Sequence, residues 1–598
     1  MTAVELPAVA PEVTAALVED LSPRLRKRLD AAVVKLGARP VHRDGDTVTI
    51  AVDDETELRL HAPGGVVRTT DAVHCGCLLA PACVHRAAAA SAARTADPAP
   101  EPPAATEPPP RPGTADRPDP PAGTASPAER DAADALWSAG AAVLETGVDG
   151  AGAVAQAALL RAAHTARLRS LPRAAGAAVS VVALLRAARA GDPSYRTADL
   201  VTALAELLGT AHRVGTATGP ELAAVKGRAR RPYTPDGSLR LYGLFTEPVV
   251  TDSGHGGART WVTGPDGRLF TVGDVAPGGA GRALGVADRA VRLGDSALTH
   301  RELGRAGLAV SGATVSPDGR LGAGKGVKAV SAKGVSWTEP PLAGLWETAP
   351  SRQVARALGA ASSDSSTSPA SPDADQVGGG DDLLFLDVEL IGAVKESGGI
   401  CLLARCDGGV TVRLTVADDD PALAHRDNLM LLATAPGTRL RIIGRLIPAL
   451  HPRLTLLACS HPTGGGTIDL GFDRLGRADL PSPGAAAHPA PYEPGGFGDH
   501  SPLHLLARRV EQTVPAGRTA LGMLGDISAE SHRLRRAGLP TAADLLGALC
   551  ASAARRDRDP FGRLLPADTD GFARHWLAAA RYTSAVSDSL CVAAWEAG

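Results

Sequence analysis

The segment that most restricts how this chain can fold reads Cys75-Gly76-Cys77-Leu78-Leu79-Ala80-Pro81-Ala82-Cys83-Val84-His85. Its pattern is C-x-C-x5-C-x-H, and it holds three of the eight cysteines of the 598-residue chain. Three thiolates and one imidazole form a complete ligand set for one tetrahedral zinc ion. The sequence therefore predicts a fold in which these four side chains converge on one point.

The spacing of the four residues explains how they can converge. Side chains alternate along an extended chain, so Cys75 and Cys77 lie on the same side, and Gly76 lets the backbone curl around an ion. Cys83 and His85 lead into an alanine-rich run that favours a helix. Because four protein ligands close the coordination shell, and no Asp or Glu lies in the loop, we expect a structural zinc site rather than a catalytic one.

Two other interpretations of the cysteine cluster stay open. Cysteine is often a small buried apolar residue, so the cluster can be a metal-free part of a hydrophobic core. The same thiols can also form a redox switch. We favour zinc, because three cysteines and a histidine fall within one short segment of a chain that is otherwise poor in both.

Two strand-like runs, over 47–52 and 56–62, precede the cluster, and the alanine-rich helix follows it. This arrangement resembles the SWIM zinc finger, whose pattern is C-x-C, a variable gap and then C-x-H on a ββα unit. The resemblance extends over residues of about 45–95. It implies zinc bound by the same four ligands and a role in binding DNA or another protein. In bacteria it also implies an accessory part in an ATPase system.

The chain is too long for one hydrophobic core, so several domains are expected. Changes in composition and hydrophobic period predict an α+β multidomain protein. The predicted parts are a small ββα zinc-finger module (14–95), a Pro-rich linker (96–130), a helical bundle segment (131–226), a hairpin-rich β domain (227–358), a disordered linker (359–382), an OB-like β-barrel (383–462), a Gly/Pro-rich loop (463–500) and C-terminal helices (501–598).

The Pro-rich linker decides how independent the zinc-finger module is expected to be. Its composition predicts an extended spacer, which would let the module unfold without disturbing residues 131–598. Its P-x-x-P-like spacings would also suit a proline-recognition domain.

The hairpin-rich β domain is predicted from three Pro-Asp-Gly triplets, each flanked by short β-like runs. Such triplets are typical of tight turns between strands. They occur at Pro235-Asp236-Gly237, Pro265-Asp266-Gly267 and Pro317-Asp318-Gly319.

The region 383–462 has the order β-β-β-α-β-β, which resembles an OB-fold barrel. Within its fourth strand, Arg439, Arg441 and Arg445 should share one face, called here the arginine face. OB-folds often bind single-stranded nucleic acid through a basic groove and stacking aromatic rings, but Phe385 is the only ring in this region. We therefore favour a solvated face on an interaction barrel over a nucleic-acid site.

A second basic surface is predicted near the zinc module. Ser22 and Pro23 are typical of a helix start, and the predicted helix over 22–36 carries Arg24, Arg28 and Lys35 along one side. These cations either contact phosphates or form a solvated charged face.

The sequence as a whole predicts function by binding. The net charge of −3 excludes a globally basic nucleic-acid coat. No apolar run is long enough to span a bilayer, no secretory leader pattern is visible, and scattered cysteines suit a reducing cytoplasm. No catalytic motif and no small-molecule substrate can be identified. We expect a cytoplasmic zinc-binding adaptor for DNA or a protein partner. The alternative is an enzyme whose site lies in the 227–358 domain.

Overall fold

A computed structural model describes residues 6–53, 56–96, 123–192, 195–227, 234–251, 255–316, 318–322, 324, 326–363, 380–396, 399–481, 501–523, 526–555 and 557–596. The chain forms two compact units. Unit 1 comprises Met1–Ala229 and Pro502–Thr583, and unit 2 comprises Arg230–Ser501 and Ser584–Gly598. The observed mixture of helices and several sheets is the α+β multidomain architecture that the sequence predicts.

The N-terminal segment of unit 1, residues 6–96, combines short strands and helices. They are β1 (Ala8–Val9), α1 (Pro11–Glu19), α2 (Pro23–Arg26), α3 (Leu29–Gly37), β2 (Val41–Asp44), β3 (Thr47–Ala51), β4 (Glu57–His61), β5 (Val66–Val67), β6 (Val73–Cys75) and α4 (Val84–Ala92). Strands β2-β3-β4-β6 form an antiparallel sheet in that order.

The sheet buries one face through period-two alternation. Val48, Ile50, Leu58 and Leu60 are fully buried, and the residues between them are partly or fully exposed. The buried face packs with α1, α3 and α4 in one hydrophobic core. The predicted strands over 47–52 and 56–62 are thus confirmed.

The predicted single helix over 22–36 is wrong. The structure has the short α2, a break at Lys27 and Arg28, and then α3. Just before the break, the Arg26 guanidinium turns back to the end of α1 and donates hydrogen bonds to the carbonyls of Glu19 and Leu21.

Five helices follow the Pro-rich region. They are α5 (Pro127–Gly150), α6 (Ala153–Leu168), α7 (Pro172–Ala190), α8 (Thr197–Val214) and α9 (Gly219–Lys226). The region predicted as a helical bundle segment is therefore helical in the structure. Residues 97–122, most of the predicted linker, lie outside the described residues.

The N-terminal segment packs directly on these helices within unit 1. Ala153 and Ala157 of α6 belong to its hydrophobic core. The Asp30 carboxylate accepts a hydrogen bond from the backbone N–H of Ala153 at 2.9 Å. Arg186 of α7 donates to the Ala93 carbonyl at 2.7 Å. The segment that carries the Cys/His cluster is therefore not held by its linker alone.

Unit 2 begins with an antiparallel sheet of order β11-β10-β7-β8-β9. Its elements are β7 (Thr234–Val250), β8 (His255–Thr263), β9 (Leu269–Pro277), α10 (Gly279–Ala287), α11 (His300–Leu303), β10 (Gly307–Val315), β11 (Lys328–Ala332) and α12 (Pro350–Ser363).

One of the three predicted Pro-Asp-Gly turns is wrong. Residues 235–237 lie inside β7, where Gly237 has φ +67° at an irregularity of the pairing with β10. A glycine in this conformation forms a bulge without strain, so the triplet bends the strand instead of ending it. Residues 265–267 do form the turn between β8 and β9, and Pro317 lies outside the described residues.

A second set of strands in unit 2 closes into a ring. Its elements are β12 (Leu383–Glu396), β13 (Gly399–Cys406), β14 (Thr411–Thr415), α13 (His425–Leu432), β15 (Arg439–Leu446), β16 (Arg453–Ser460) and β17 (Thr467–Asp469). The pairings run β12-β13-β14-β16-β15 and return to β12, and only the β14–β16 pair is parallel. The order of strands and helix matches the sequence prediction.

The last helices return to unit 1. They are α14 (His504–Ala516), α15 (Arg518–Gly522), α16 (Ser528–Arg536), α17 (Pro540–Ala554) and α18 (Thr569–Glu596), whose final residues belong to unit 2. Their apolar faces, including Val510 and Trp576, share one core with α5–α8. The predicted linker residues 364–379 and loop residues 482–500 lie outside the described residues. Among the helices described, none has the length and apolar character needed to cross a bilayer.

Candidate metal centre

Two structural elements present the four predicted ligands. Cys75 is the last residue of β6 and pairs with Leu58 of β4. Past the strand end, the Gly76 N–H donates to the Glu57 carbonyl at 3.0 Å, which turns the chain toward Cys77. Cys83 is the extended residue immediately before α4, and His85 lies in the first turn of that helix.

The fold brings all four predicted ligands together. One donor atom from each of Cys75, Cys77, Cys83 and His85 lies within 4.8 Å of the others. The Cys75 Sγ and His85 Nδ1 atoms are 3.7 Å apart. In a tetrahedral site with Zn–S bonds of about 2.3 Å, two sulfurs are separated by about 3.8 Å. The cluster therefore fits one small cation.

Burial makes these thiols poor acids without a metal. It raises the pKa of Cys75 to about 12, and the neighbouring thiols of Cys77 and Cys83 add to the rise. Burial raises the pKa of Cys83 as well. Backbone N–H groups of Cys77 and Arg86 donate to these two sulfurs and oppose the rise. Three adjacent thiolates therefore need a bound cation.

The imidazole is in the state that a ligand requires. Burial lowers the pKa of His85, and Lys35 lowers it further, while Asp53 opposes the shift. A neutral imidazole keeps one nitrogen lone pair free for a metal. The residues present therefore fit a metal ion, and a donor set of three sulfurs and one nitrogen suits zinc and other thiophilic cations.

The loop between the second and third ligands is exposed and apolar. It is called here the metal loop and comprises residues 78–82, Leu-Leu-Ala-Pro-Ala. Leu78 is fully exposed and Leu79 is 61% exposed. The Ala80 N–H donates to the Cys77 carbonyl at 3.0 Å and starts a tight turn. The metal loop therefore presents two adjacent leucine side chains to solvent.

Sequence reasoning missed Arg86, which follows the histidine ligand. Its side chain is buried and donates to three backbone carbonyls, those of Thr70, Val73 and Pro81. No spacing pattern marks such a residue, because its partners are main-chain atoms.

The cations predicted on the 22–36 helix lie before, at and after its break. Arg24 lies in α2, Arg28 lies at the break, and Lys35 lies in α3. All three are exposed. Lys35 is near enough to His85 to affect its pKa.

The arginine face of β15 is matched by carboxylates. The ion pairs join Arg439 to Glu389 at 3.6 Å, Arg441 to Asp387 at 3.1 Å, and Arg445 to Asp382 at 2.6 Å and Glu247 at 3.2 Å. Two of these acids lie on β12 directly opposite their arginines in the strand register. The face therefore carries little uncompensated positive charge.

Unit 2 also contains a cavity of about 920 Å³. Strands β12 and β15 form one wall, and residues 334–338 and 460–467 contribute to the others. Asp387 is among the lining residues, and burial raises its pKa against the opposing effect of Arg441. His461 also lines it, with Nε2 at 3.6 Å from the Asp479 carboxylate.

Comparison with models of protein families, with curated proteins and with solved structures finds no match to this chain. The metal cluster is compatible with a zinc finger but does not by itself identify the SWIM family.

Proposed function

We propose that this chain is a cytoplasmic, zinc-binding, SWIM-type interaction protein that acts as a non-enzymatic adaptor. The observation that supports the proposal is the convergence of Cys75, Cys77, Cys83 and His85 within 4.8 Å. A bound zinc ion would supply folding energy and hold the surrounding surface in shape. The four side chains would close the coordination shell, which leaves no position for a reacting water.

The metal loop is the surface that such a site would present. Its two ends are ligands, so a metal at Cys77 and Cys83 would fix both ends of a loop whose tip is Leu78 and Leu79. Exposed apolar side chains with restricted motion lose little entropy on binding and can fill a pocket on a partner. This favours a protein partner, for which a component of an ATPase system is a candidate through the SWIM resemblance.

The arrangement of the barrel supports nucleic-acid binding less well than protein binding. We propose that 383–462 is OB-like, because its ring of pairings, with the third and fifth strands parallel, follows the OB order. Its arginine face, however, is paired with carboxylates and offers little charge to phosphates. Of the cations that the sequence analysis proposes for DNA binding, Arg24, Arg28 and Lys35 remain. DNA binding through them would have little sequence preference and would depend strongly on salt.

Metal analysis of the purified full-length protein tests the zinc assignment. We expect about one equivalent of zinc per chain, as for a single closed site. Cys77→Ser should reduce the zinc content to near zero. Cys550→Ser is the matched control, because this buried cysteine lies in α17 outside the cluster and should leave the zinc content unchanged. A folded wild-type protein that takes up no zinc when zinc is supplied would refute the proposal.

Two binding experiments separate the partner classes. Cross-linking in the native cell should recover a protein with wild type and lose it with the double variant Leu78→Asp and Leu79→Asp. Titration of the full chain with labelled duplex DNA at two salt concentrations tests the other class. A triple alanine variant at Arg24, Arg28 and Lys35 that abolishes DNA binding, with the loop variant unaffected, would favour DNA over protein.

An enzyme remains the second candidate, and the cavity in unit 2 is the observation that favours it. Its volume lies in the range of small-molecule sites. It is lined partly by the 227–358 region in which the sequence analysis places an alternative active site. Thermal-shift screening with metabolite classes tests this candidate, and Asp387→Asn should abolish any shift that arises in this cavity.

A further inference from the structure

Arg86 joins the two segments that carry the metal ligands. Its Nε donates to the Val73 carbonyl, two residues before Cys75, at 2.5 Å. Its Nη1 donates to the Pro81 carbonyl, two residues before Cys83, at 2.6 Å. Its Nη2 donates to the Thr70 carbonyl at the start of the approach to β6. One side chain therefore bridges both halves of the ligand set.

The guanidinium group is suited to this role. It presents five donors in a rigid plane, so three carbonyls on different segments can be fixed by one group. Arg86 is only 6% exposed. Removing its guanidinium would take a donor from the carbonyls of Val73 and Pro81, while the Thr70 carbonyl would keep the N–H of Val73. A lysine ammonium is a point donor on a flexible stem and cannot reproduce the three directions together.

The surrounding contacts hold the same segments without a metal. The Gly76 N–H is bonded to Glu57, and the Ala80 N–H is bonded to Cys77. Cys75 and Cys83 are both part of the hydrophobic core of the N-terminal segment. The ligand positions are therefore defined by hydrogen bonds and packing as well as by any ion.

We propose that Arg86 is a positioning residue that keeps the two ligand pairs in register, so that zinc enters a largely preformed site. This inference rests on the proposed zinc-binding function and goes beyond it. It implies that the metal-free protein keeps its N-terminal fold and exchanges zinc reversibly, unlike small fingers that unfold without metal.

Zinc competition against a chromophoric chelator, with full-length protein under reducing conditions, tests the proposal. We expect Arg86→Lys to weaken zinc affinity by about 10- to 100-fold, the range seen when groups that orient metal ligands are removed. Arg186→Lys is the matched control. Arg186 is another arginine of unit 1, partly buried, and it donates to the Ala93 carbonyl just beyond the far end of α4. Its replacement should leave zinc affinity within about threefold of wild type, because it does not touch the ligand segments.

Three outcomes overturn the inference. The first is that Arg86→Lys binds zinc as tightly as wild type. The second is that the Arg186→Lys control weakens zinc affinity equally, which would indicate general destabilisation. If wild type itself binds no zinc, the proposed function fails together with the inference. The first two results would overturn only the role of Arg86.

Hydrogen exchange on the metal-free wild-type protein tests the preformed site without any Arg86 variant, so it remains decisive if such a variant does not fold. The amides of Gly76 and Ala80 should remain protected after zinc is removed, because their hydrogen bonds do not involve the metal. Complete loss of protection over 70–83 in the metal-free protein would overturn the preformed site.

Discussion

Asp30 provides a test of how firmly the metal-binding segment is attached to the helices of unit 1. Helix α6 begins after Gly152, which has no side chain to cap it. The Asp30 carboxylate, more than a hundred residues earlier, accepts the N–H of Ala153 instead. Arg189 lies 3.6 Å from the same carboxylate. Asp30→Ala should therefore loosen the first turn of α6.

The expected loss of stability at the start of α6 follows from these two contacts. Loss of an N-cap acceptor costs about 1 kcal/mol. Because Asp30 is half exposed, its pair with Arg189 adds only about 0.5 kcal/mol or less. Local opening of the helix start should become easier by about 1–1.5 kcal/mol, which corresponds to roughly 5- to 12-fold faster amide exchange.

Hydrogen exchange read by mass spectrometry measures this directly over the start of α6, with α5 as an internal reference. Asp30→Asn should restore most of the protection, because asparagine caps as well as aspartate. Glu19→Ala is the matched control. Glu19 also reaches α6, through Arg161 at 3.1 Å, but that pair is half exposed and should contribute little.

Two results would refute the reasoning. If exchange over residues 153–160 is unchanged in Asp30→Ala, the cap does not hold the helix. If Glu19→Ala has the same effect as Asp30→Ala, the coupling is not specific to the buried start of the helix.

The remaining predictions concern a buried acid and a glycine contact. Burial raises the pKa of Asp469 from its ordinary 3.8 to about 7. Between these two pH values the folded state holds a proton that the unfolded state releases. The contribution of Asp469 to the free energy of unfolding therefore falls as pH rises from about 4 to about 7. Asp469→Asn should therefore become more stable than wild type as pH rises through that window, by up to about 4 kcal/mol at 1.36 kcal/mol per pKa unit. Urea unfolding between pH 5 and 8 measures the difference in free energy of unfolding. A difference that does not change with pH would contradict this reasoning. Gly147→Ala should destabilise unit 1 by about 3 kcal/mol or more, since Gly147 has φ +67° and an added Cβ would lie 2.3 Å from the Gly517 nitrogen. Gly176→Ala in α7, where the added Cβ meets open space, should be neutral or stabilise by up to about 1 kcal/mol, and equal thermal shifts for the two variants would contradict the contact.

The parts of the structure that could be predicted from sequence depend on local periodicity. The strands β3 and β4 and the helices α6–α8 follow period-two and amphipathic patterns that are visible in the chain. The four ligands were found because their residue types and spacing are rare together. Strand β2 has three exposed residues out of four and no apolar alternation, so no pattern marked it.

The parts that could not be predicted depend on contacts between distant residues. The break between α2 and α3 is accompanied by hydrogen bonds from Arg26 to carbonyls at the end of α1, which the local sequence does not mark. Neutralisation of the arginine face follows from the register that sets Asp387 opposite Arg441. Arg86 bonds only to backbone carbonyls, which any sequence possesses, so its role has no sequence signature.

Unit 1 is built from two stretches of chain that are separated by unit 2, and this affects its folding during synthesis. Residues 230–501 are synthesised between the two stretches that share its helical core. At about 5–20 residues per second, α5–α9 would wait roughly 14–54 s on the ribosome before synthesis even begins of the stretch whose Val510 and Trp576 cover their apolar faces. A truncated product ending anywhere in that interval would contain all four metal ligands and still lack the residues that α14–α18 add to the core of α5–α8. The stability of the helices on which the metal-binding segment packs should therefore depend on completing the last hundred residues of the chain.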